Sequence, residues 1–579
     1  MKKKVLIGVA WPYVNGDLHL GHLSGYLLPA DIFARYQRQV GNDVLMVSGS
    51  DCHGTPITVA ADKEGKSPRE IVDIYHKKDI ELFKQYCLSF NIYTKTTTEN
   101  HKKIVQDVFL DLLKQRFIVK DVMKQYFSEA DKKFLPDRYV EGECPHCGAK
   151  EQRSDQCEAC GRWLKDGELI SPVSKLTGSP VSLKDTEHYF LDFPKLENKL
   201  KEFVESRKNV WKRWVWQETD SWLSEGLQKR AITRDMDWAV ELPIDEIKKL
   251  PEEFQLSDFT GKHIYVWFEA VIGYLSGAIE WSDLSTSNAQ PNDEIIYSKT
   301  GNESTDWKHW WLNPEAKIYN FMGQDNLVFH TLMWPGILAA SSSSYTLPYN
   351  VVVNKFMNYE GKKFSKSRNW TIDSKLVADR YGVDLIRYYI ASNLPENKEA
   401  SFTWEEFVAS VNNELVANLG NLINRTLKFF ESKFSGKIDY PLWQINPDVQ
   451  KEIESVYSEM SLHLDKCEFV PALERLMQFT RFGNKFFDES KIWEVIKSDP
   501  DSEKAVGLML NELNIVYQLI TLIEPFVPNS AVKLSSMLST QKAFNWEPEY
   551  LNQLKLTKTV EILFNKLEPE KVLAERDVV

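Results

Sequence analysis

The apolar run Val5-Leu6-Ile7-Gly8-Val9-Ala10 stops at Trp11-Pro12-Tyr13, and a helical period takes over from Leu23 to Gln39. A second run, Val44-Leu45-Met46-Val47, follows, and then a helical period through Ile71, Ile74, Ile80, Phe83 and Cys87. Strand and helix alternating at this length leave few solutions. Parallel strands need crossover connections, helices supply them, and the sheet is then covered on both faces. The N-terminal region therefore reads as a Rossmann-like α/β unit whose ligands gather at the carboxyl ends of the strands.

A further amphipathic helix, Ile104 to Leu113, precedes a Cys-, Gly- and Pro-rich stretch from about 118 to 180 that has no helical period and reads as an insertion. The α/β pattern returns at Ile264-Tyr265-Val266-Trp267, at Ile318-Tyr319-Asn320-Phe321-Met322 and at Tyr349-Asn350-Val351-Val352-Val353, so the sheet is expected from two segments flanking the insert. From about 405 onward helical periods dominate: Val411 to Ile423, Val470 to Phe487 and Leu508 to Ile523, with Pro525 and Pro528 ending the last. The expected division is 1–117 and 231–345 for two halves of a catalytic sheet, 118–230 for the insertion, 346–400 for a linking region and 401–579 for an all-α bundle. A chain of 579 residues is long enough for three or four such units.

Net charge is −12, from 71 basic and 83 acidic side chains, which excludes a broad positive field and leaves any nucleic-acid contact local and shape-dependent. No apolar run reaches the ~18 to 20 residues that cross a bilayer, and Met1-Lys2-Lys3-Lys4 leads into a segment too short for a signal peptide, so no membrane and a cytoplasmic location are expected. Seven cysteines are an odd number for a disulfide framework. Cys52, Cys87 and Cys467 are scattered, whereas Cys144-Pro-His-Cys147, nine residues, then Cys157-Glu-Ala-Cys160 has the spacing of one tetrahedral Zn²⁺ held by four thiolates. Four protein ligands leave no open position, so the metal would be structural, folding a knuckle too small for its own core, with His146 a bystander. A pair of disulfides is the alternative.

Two short motifs carry phosphate chemistry. His19-Leu20-Gly21-His22 opens a helix: Gly21, lacking a Cβ, admits a close ligand, the helix amino end offers N–H groups and a positive dipole, and His19 and His22 lie on one side of the first turn. Far downstream, Gly361 opens Lys362-Lys363-Phe364-Ser365-Lys366-Ser367-Arg368, a turn whose ammonium groups can stabilise charge growing on leaving phosphates. A surface histidine pair and a solvated basic turn are the plainer readings of each motif alone.

Together and in this order the two motifs resemble the signatures of class I aminoacyl-tRNA synthetases. Pro12-Tyr13-Val14-Asn15-Gly16, Gly49-Ser50-Asp51-Cys52-His53-Gly54-Thr55-Pro56, Trp267-Phe268-Glu269-Ala270, Ile272-Gly273-Tyr274 and Phe321-Met322-Gly323-Gln324-Asp325 with Phe329-His330 narrow the resemblance to the methionyl-tRNA synthetase family, over nearly the whole chain. The resemblance implies ATP with Mg²⁺ at His19, Gly21, His22, Gly323, Asp325 and Lys366, with His19, His22, Lys363 and Lys366 acting in catalysis. It implies methionine against Trp11, Tyr13, Asp51, Trp267, Ala270, Tyr274, Asn326 and His330, with Asp51 pairing the ammonium and aromatic rings meeting the thioether. It also implies that Asn421, Arg425 and Trp493 read the anticodon of tRNA(Met), an amide and a guanidinium on base edges and an indole as a stacking platform.

Departures from the family pattern are Trp11 where many bacterial members carry Leu, Val271 for a common Pro, Asn326 for Ile, Phe364 for Met, and Ile492 for a Pro before Trp493. The leucyl, isoleucyl and valyl enzymes share both ATP motifs but carry an editing insertion for which this chain has no room. A small-substrate nucleotidyltransferase would lack the helical bundle, and a non-catalytic RNA-binding paralogue would be expected to lose His22 or Lys366. Nothing after Pro528 has the character of an oligonucleotide-binding barrel, so a monomer is expected.

Overall fold

The structure is a computed structural model; it describes residues 2–136, 139–154, 157, 164, 167–287, 293–299, 305–364, 370–499, 502–538, 544–574 and 576. Lys366 and Cys160 lie outside the described residues.

The central sheet runs in the order Ile296–Tyr297, Ile92–Lys95, Asp43–Ser50, Lys4–Val9, Lys317–Gly323, Asn350–Asn354. All neighbours are parallel except the antiparallel edge strand Ile296–Tyr297. Asp43–Ser50 is buried at every position, the burial expected of a strand covered on both faces. From Lys4–Val9 the chain winds outward through Asp43–Ser50 and Ile92–Lys95, and after the insertion it returns to pair Lys317–Gly323 on the other side of Lys4–Val9. Lys4–Val9 and Lys317–Gly323 therefore flank the switch point, where crossovers leave in opposite directions and a crevice opens at the carboxyl ends. The crossover helices carry their own start signals, as in Pro68–Gln85, where Ser67 and Glu70 form a capping box ahead of Pro68.

Ile264-Tyr265-Val266-Trp267 does not join this sheet. Lys262–Ile264 pairs instead with Thr233–Asp235 and Val240–Glu241 in a separate three-stranded sheet, and Val266–Glu269 is a helical turn. Burial still alternates from Lys262 to Phe268, so the period of two that suggests one strand spans a strand and a helix.

The insertion is built on a long antiparallel pair, Ile118–Ser128 against Val181–Leu191, in register from Ile118↔Leu191 to Ser128↔Val181 and flanked by the short strands Lys133–Phe134 and Arg230–Ala231. At its tip Gln152–Arg153, Val140–Glu143 and Ile170–Ser174 form a small sheet around the cysteines, with a core of Tyr126, Leu135, Val140, Cys144, Cys157, Leu164 and Leu169.

The C-terminal region is helical, with Phe469–Ser490 and Glu503–Leu522 among its longest elements and a short strand pair, Lys437–Asp439 with Gln553–Lys555, beside them. Glu503–Leu522 has a window of mean hydropathy 1.3 and by length and composition is apolar enough to cross a membrane; it lies buried as the central helix of the bundle. Arg387, fully buried, ties bundle to sheet: it donates to the carbonyls of Tyr86, Pro525 and Phe526 and to Asp31 Oδ2. Burial opposes the charge on Asp31, but Arg35 and Arg387 hold its pKa down at about 2. Removing one partner from so buried a group typically costs ~3 to 5 kcal/mol.

Candidate active site

A cavity of about 460 Å³ opens at the switch point, beyond the ends of Lys4–Val9 and Lys317–Gly323. His19, Gly21, His22, Lys363, Gly323 and Asp325 line it, as do Trp11, Tyr13, Asp51, Trp267, Ala270, Tyr274, Asn326 and His330. Segments up to 350 residues apart in the chain thus meet at one crevice, and of the residues implied for ATP and methionine only Lys366 is not described.

His19 is the N-cap of Leu20–His22. Its Nδ1 accepts from the Gly21 N–H (3.1 Å), and the His22 Nδ1 accepts from the His19 N–H (3.1 Å), a capping box made by two imidazoles. With Nδ1 accepting in both rings, the neutral imidazoles carry their proton on Nε2, the tautomer that donates to an anion. A Cβ on Gly21 would come within 2.9 Å of the His19 ring, so the capping histidine itself demands glycine here. The helix continues through a π-helical turn, Leu23–Leu27, into Leu28–Gln39. Phe364 lies flat on His19, ring centroids 4.6 Å apart and planes 11° apart, and brings the lysine turn onto the histidine turn. Lys363 Nζ stands 5.4 Å from the Phe356 ring centroid.

Asp51 follows the buried strand Asp43–Ser50 and is itself buried, and its Oδ1 has no hydrogen-bond partner among the described residues. Burial, then the charge of Glu269, pushes its carboxyl well above the ordinary carboxylate range. Such an oxygen is matched by a cation. Asp325, in the turn after Lys317–Gly323, is also raised by burial.

The apolar half of the cavity is held by a fixed chain of bonds. With His330 Nδ1 donating to the Asn326 carbonyl (2.9 Å), its Nε2 accepts from the Tyr274 hydroxyl (2.7 Å). Burial lowers the His330 pKa to about 4, so the ring stays neutral. Trp267 is 43% exposed at the mouth and packs on Phe329 at 4.9 Å. Trp11 fits because of two glycines: a Cβ on Gly49 would fall 2.4 Å, and one on Gly273 2.7 Å, from its indole. Lys355, Phe356 and Met357, which the motifs do not include, also line the cavity. The signal for them was positional, since they follow directly on the strand Asn350–Asn354.

Two further clusters lie apart from the cavity. The Sγ atoms of Cys144, Cys147 and Cys157 are all within 4.8 Å of one another, and those of Cys147 and Cys157 are 3.6 Å apart. Tetrahedral thiolates at ~2.3 Å from Zn²⁺ would stand ~3.8 Å apart, so the donor set fits a metal. His146 points to Glu168 at 3.8 Å. In the bundle, Asn421 Nδ2 (3.1 Å) and Arg425 Nη2 (3.1 Å) both donate to Asn484 Oδ1, Arg425 pairs with Asp488 at 2.7 Å and lies over Phe487, and Trp493 stacks on Phe487 with centroids 6.1 Å apart.

A family model described as tRNA synthetases class I (M) matches residues 5–427, and one described as the anticodon binding domain of methionyl tRNA ligase matches 444–575. The fold is that of a class I aminoacyl-tRNA synthetase. A methionine–tRNA ligase of Roseiflexus sp. (strain RS-1) is 40% identical over 93% of this chain and 87% of its own, and one of Thermococcus onnurineus is 38% identical over 98% and 75%. The fold is also that of a Mycobacterium tuberculosis methionyl-tRNA synthetase solved with methionyl-adenylate, at TM-score 0.71 and 22% identity over 92% of this chain and 94% of that one. The chain belongs to the methionyl-tRNA synthetase family.

Proposed function

We propose that this protein activates methionine with ATP and transfers it to the 3′ end of tRNA(Met). In the first step a methionine carboxylate oxygen attacks the α-phosphorus in line, the bond from that phosphorus to the bridging oxygen breaks, and pyrophosphate leaves with Mg²⁺. In the second, the 2′- or 3′-hydroxyl of the terminal adenosine attacks the carbonyl, and AMP leaves.

Asp51 receives the ammonium on its unpartnered oxygen. Trp11, Tyr13, Trp267, Ala270, Tyr274, Asn326 and His330 surround the side chain; because both His330 nitrogens are engaged, that ring positions the Tyr274 hydroxyl rather than meeting the sulfur itself. His19 and His22 donate from Nε2 to phosphate oxygens beside Gly21, while Gly323 and Asp325 lie on the opposite strand end. Lys363, with Lys366 three residues on, faces the leaving pyrophosphate, whose charge grows only in the transition state. The stack of Phe364 on His19 carries this reading, because it brings both phosphate motifs to one cavity.

Cys144, Cys147, Cys157 and Cys160 would hold one Zn²⁺, which when bound fixes the tip of the insertion. Asn421, Arg425 and Trp493 would read the anticodon. The proposed units are 1–117 with 231–345 for catalysis, 118–230 for the insertion, 346–400 for the link and 401–579 for the anticodon bundle, with the catalytic boundary moved past 345 because the strand Asn350–Asn354 belongs to the central sheet, acting as a monomer in the cytoplasm.

Charging of a tRNA(Met) transcript with methionine, leucine, isoleucine and norleucine in parallel tests the assignment. Methionine alone should charge efficiently. A methylene difference supplies only ~1 to 3 kcal/mol, so equal charging with leucine would remove methionine as the substrate.

A further inference from the structure

Lys355 is the first residue beyond the edge strand Asn350–Asn354, at the carboxyl end that faces the cavity, and it is one of the residues that line the cavity. Its backbone is pinned from both sides. The Lys355 N–H donates to the Pro395 carbonyl (2.8 Å), while the Asn354 amide donates to the Ser24 carbonyl (3.0 Å) and accepts from Lys212 Nζ (3.2 Å). Ser24 belongs to the π-helical turn that follows the histidine motif, so the stem of Lys355 is fixed relative to His22.

The ammonium lies 4.9 Å from the ring centroid of Trp214, on the insertion helix Arg213–Ser224. Among the described residues no carboxylate pairs with it. Some lysines of this acidic chain are paired, Lys95 with Asp73 and Glu294, Lys78 with Asp17, Lys375 with Glu81; what sets Lys355 apart is its place on the cavity wall. A cation held by an aromatic face keeps its charge uncompensated, since the face contributes only ~0.5 to 1 kcal/mol and leaves the ammonium hydrogens able to donate. Lys363 is held in the same way on Phe356, the residue next to Lys355. Lys355, Phe356 and Lys363 all line the cavity.

We infer that Lys355 is a second phosphate-binding lysine of this site, outside the lysine motif, with Trp214 as its positioning residue. The inference rests on the reading of the cavity as an ATP and RNA site. The ligand chemistry is a phosphate oxygen, and it has two sources in the reaction: the triphosphate of ATP, or the phosphodiester of the RNA 3′ end entering between the insertion and the sheet.

The test compares wild type, Lys355→Met, which keeps the stem on Trp214, and Lys355→Arg, which keeps the charge. Methionine-dependent pyrophosphate exchange is measured against ATP concentration, and charging against the concentration of a tRNA(Met) transcript. Losing one charge-assisted hydrogen bond should raise KM or lower kcat about tenfold in one arm for Lys355→Met, with Lys355→Arg within threefold of wild type. A change in the exchange arm assigns the triphosphate; a change confined to the charging arm assigns the RNA. Parameters of Lys355→Met within twofold of wild type in both arms overturn the inference, as does a loss that Lys355→Arg shares. If Lys355→Met melts early, Lys355→Gln replaces it under the same criteria. Absence of exchange in wild type would instead overturn the reading of the cavity.

Discussion

The ring of Phe364 lies parallel to that of His19, 4.6 Å away, although 344 positions separate the two in the chain. His19 is held from behind by its bond to Gly21, so its face is a fixed platform. Tyr359 also stacks on Phe364, with centroids 5.9 Å apart and planes 14° apart. Phe364, within the lysine motif, thus meets the histidine turn through an aromatic stack.

Phe364→Ala should therefore slow activation while sparing the fold. A stacked aromatic pair is worth ~0.5 to 1.5 kcal/mol beyond its buried area, so pyrophosphate exchange should fall about 3- to 10-fold with little change in melting temperature. An unchanged exchange rate would mean that the turn finds its place without the stack.

Asp51 makes opposite predictions for stability and for binding. Its folded-state carboxyl is raised by burial, so the folded protein holds a proton that the unfolded chain has lost. Stability therefore declines as pH rises from the ordinary carboxylate value toward the raised one, and Asp51→Asn should melt higher than wild type at neutral pH. The same change leaves the methionine ammonium without its charge partner and should raise the methionine KM by about 10- to 100-fold. In wild type, methionine affinity should weaken as pH falls through the raised pKa. Melting curves and the pH profile of the methionine KM check both signs.

Removal of metal should separate the two half-reactions. Contrary to the expectation of a knuckle without a core, the cysteine tip packs a small cluster of Tyr126, Leu135, Val140, Leu164 and Leu169 around Cys144 and Cys157, apart from the main core. A chelator, or Cys144→Ser with Cys147→Ser, should unfold that tip, releasing close to one Zn²⁺ per chain. Exchange should persist and RNA charging should fall. Equal loss of both would place the cysteines in service of the main fold.

The anticodon candidates are held in a preformed array. Asn421 and Arg425 share one acceptor, Asn484 Oδ1, and Phe487 lies between Arg425 and Trp493. Trp493→Ala should raise the KM for tRNA(Met) by ~10- to 100-fold, the usual size of one base–aromatic stack, and leave exchange unchanged. A matching loss of exchange would mark Trp493 as packing.

Much of this was legible from patterns of residues. The alternation from Val5 to Cys87 specifies a parallel sheet because crossover connections admit little else, and described residues of the two motifs meet at one cavity at its strand ends. The ribbon Ile118–Ser128 was not legible: most of its residues are half-exposed or exposed, so neither face carries the apolar alternation that marks a strand. The segment Ile264 to Trp267 alternates in burial as a strand would, yet turns into a helix at Val266. The slot for Trp11 depends on Gly49 and Gly273, distant in sequence and silent as a pattern. Lys355 was hidden for a different reason: its meaning comes from Trp214, on another element.

In the proposed reaction His22 and the lysine turn serve one triphosphate beside one amino acid. Its most direct measure is the exchange of labelled pyrophosphate into ATP by the purified chain, with and without methionine. Exchange should require methionine and fall at least about 100-fold in His22→Ala and Lys366→Ala, each removing a group that stabilises the same transition state. Exchange without methionine, or full exchange in either variant, would contradict the account.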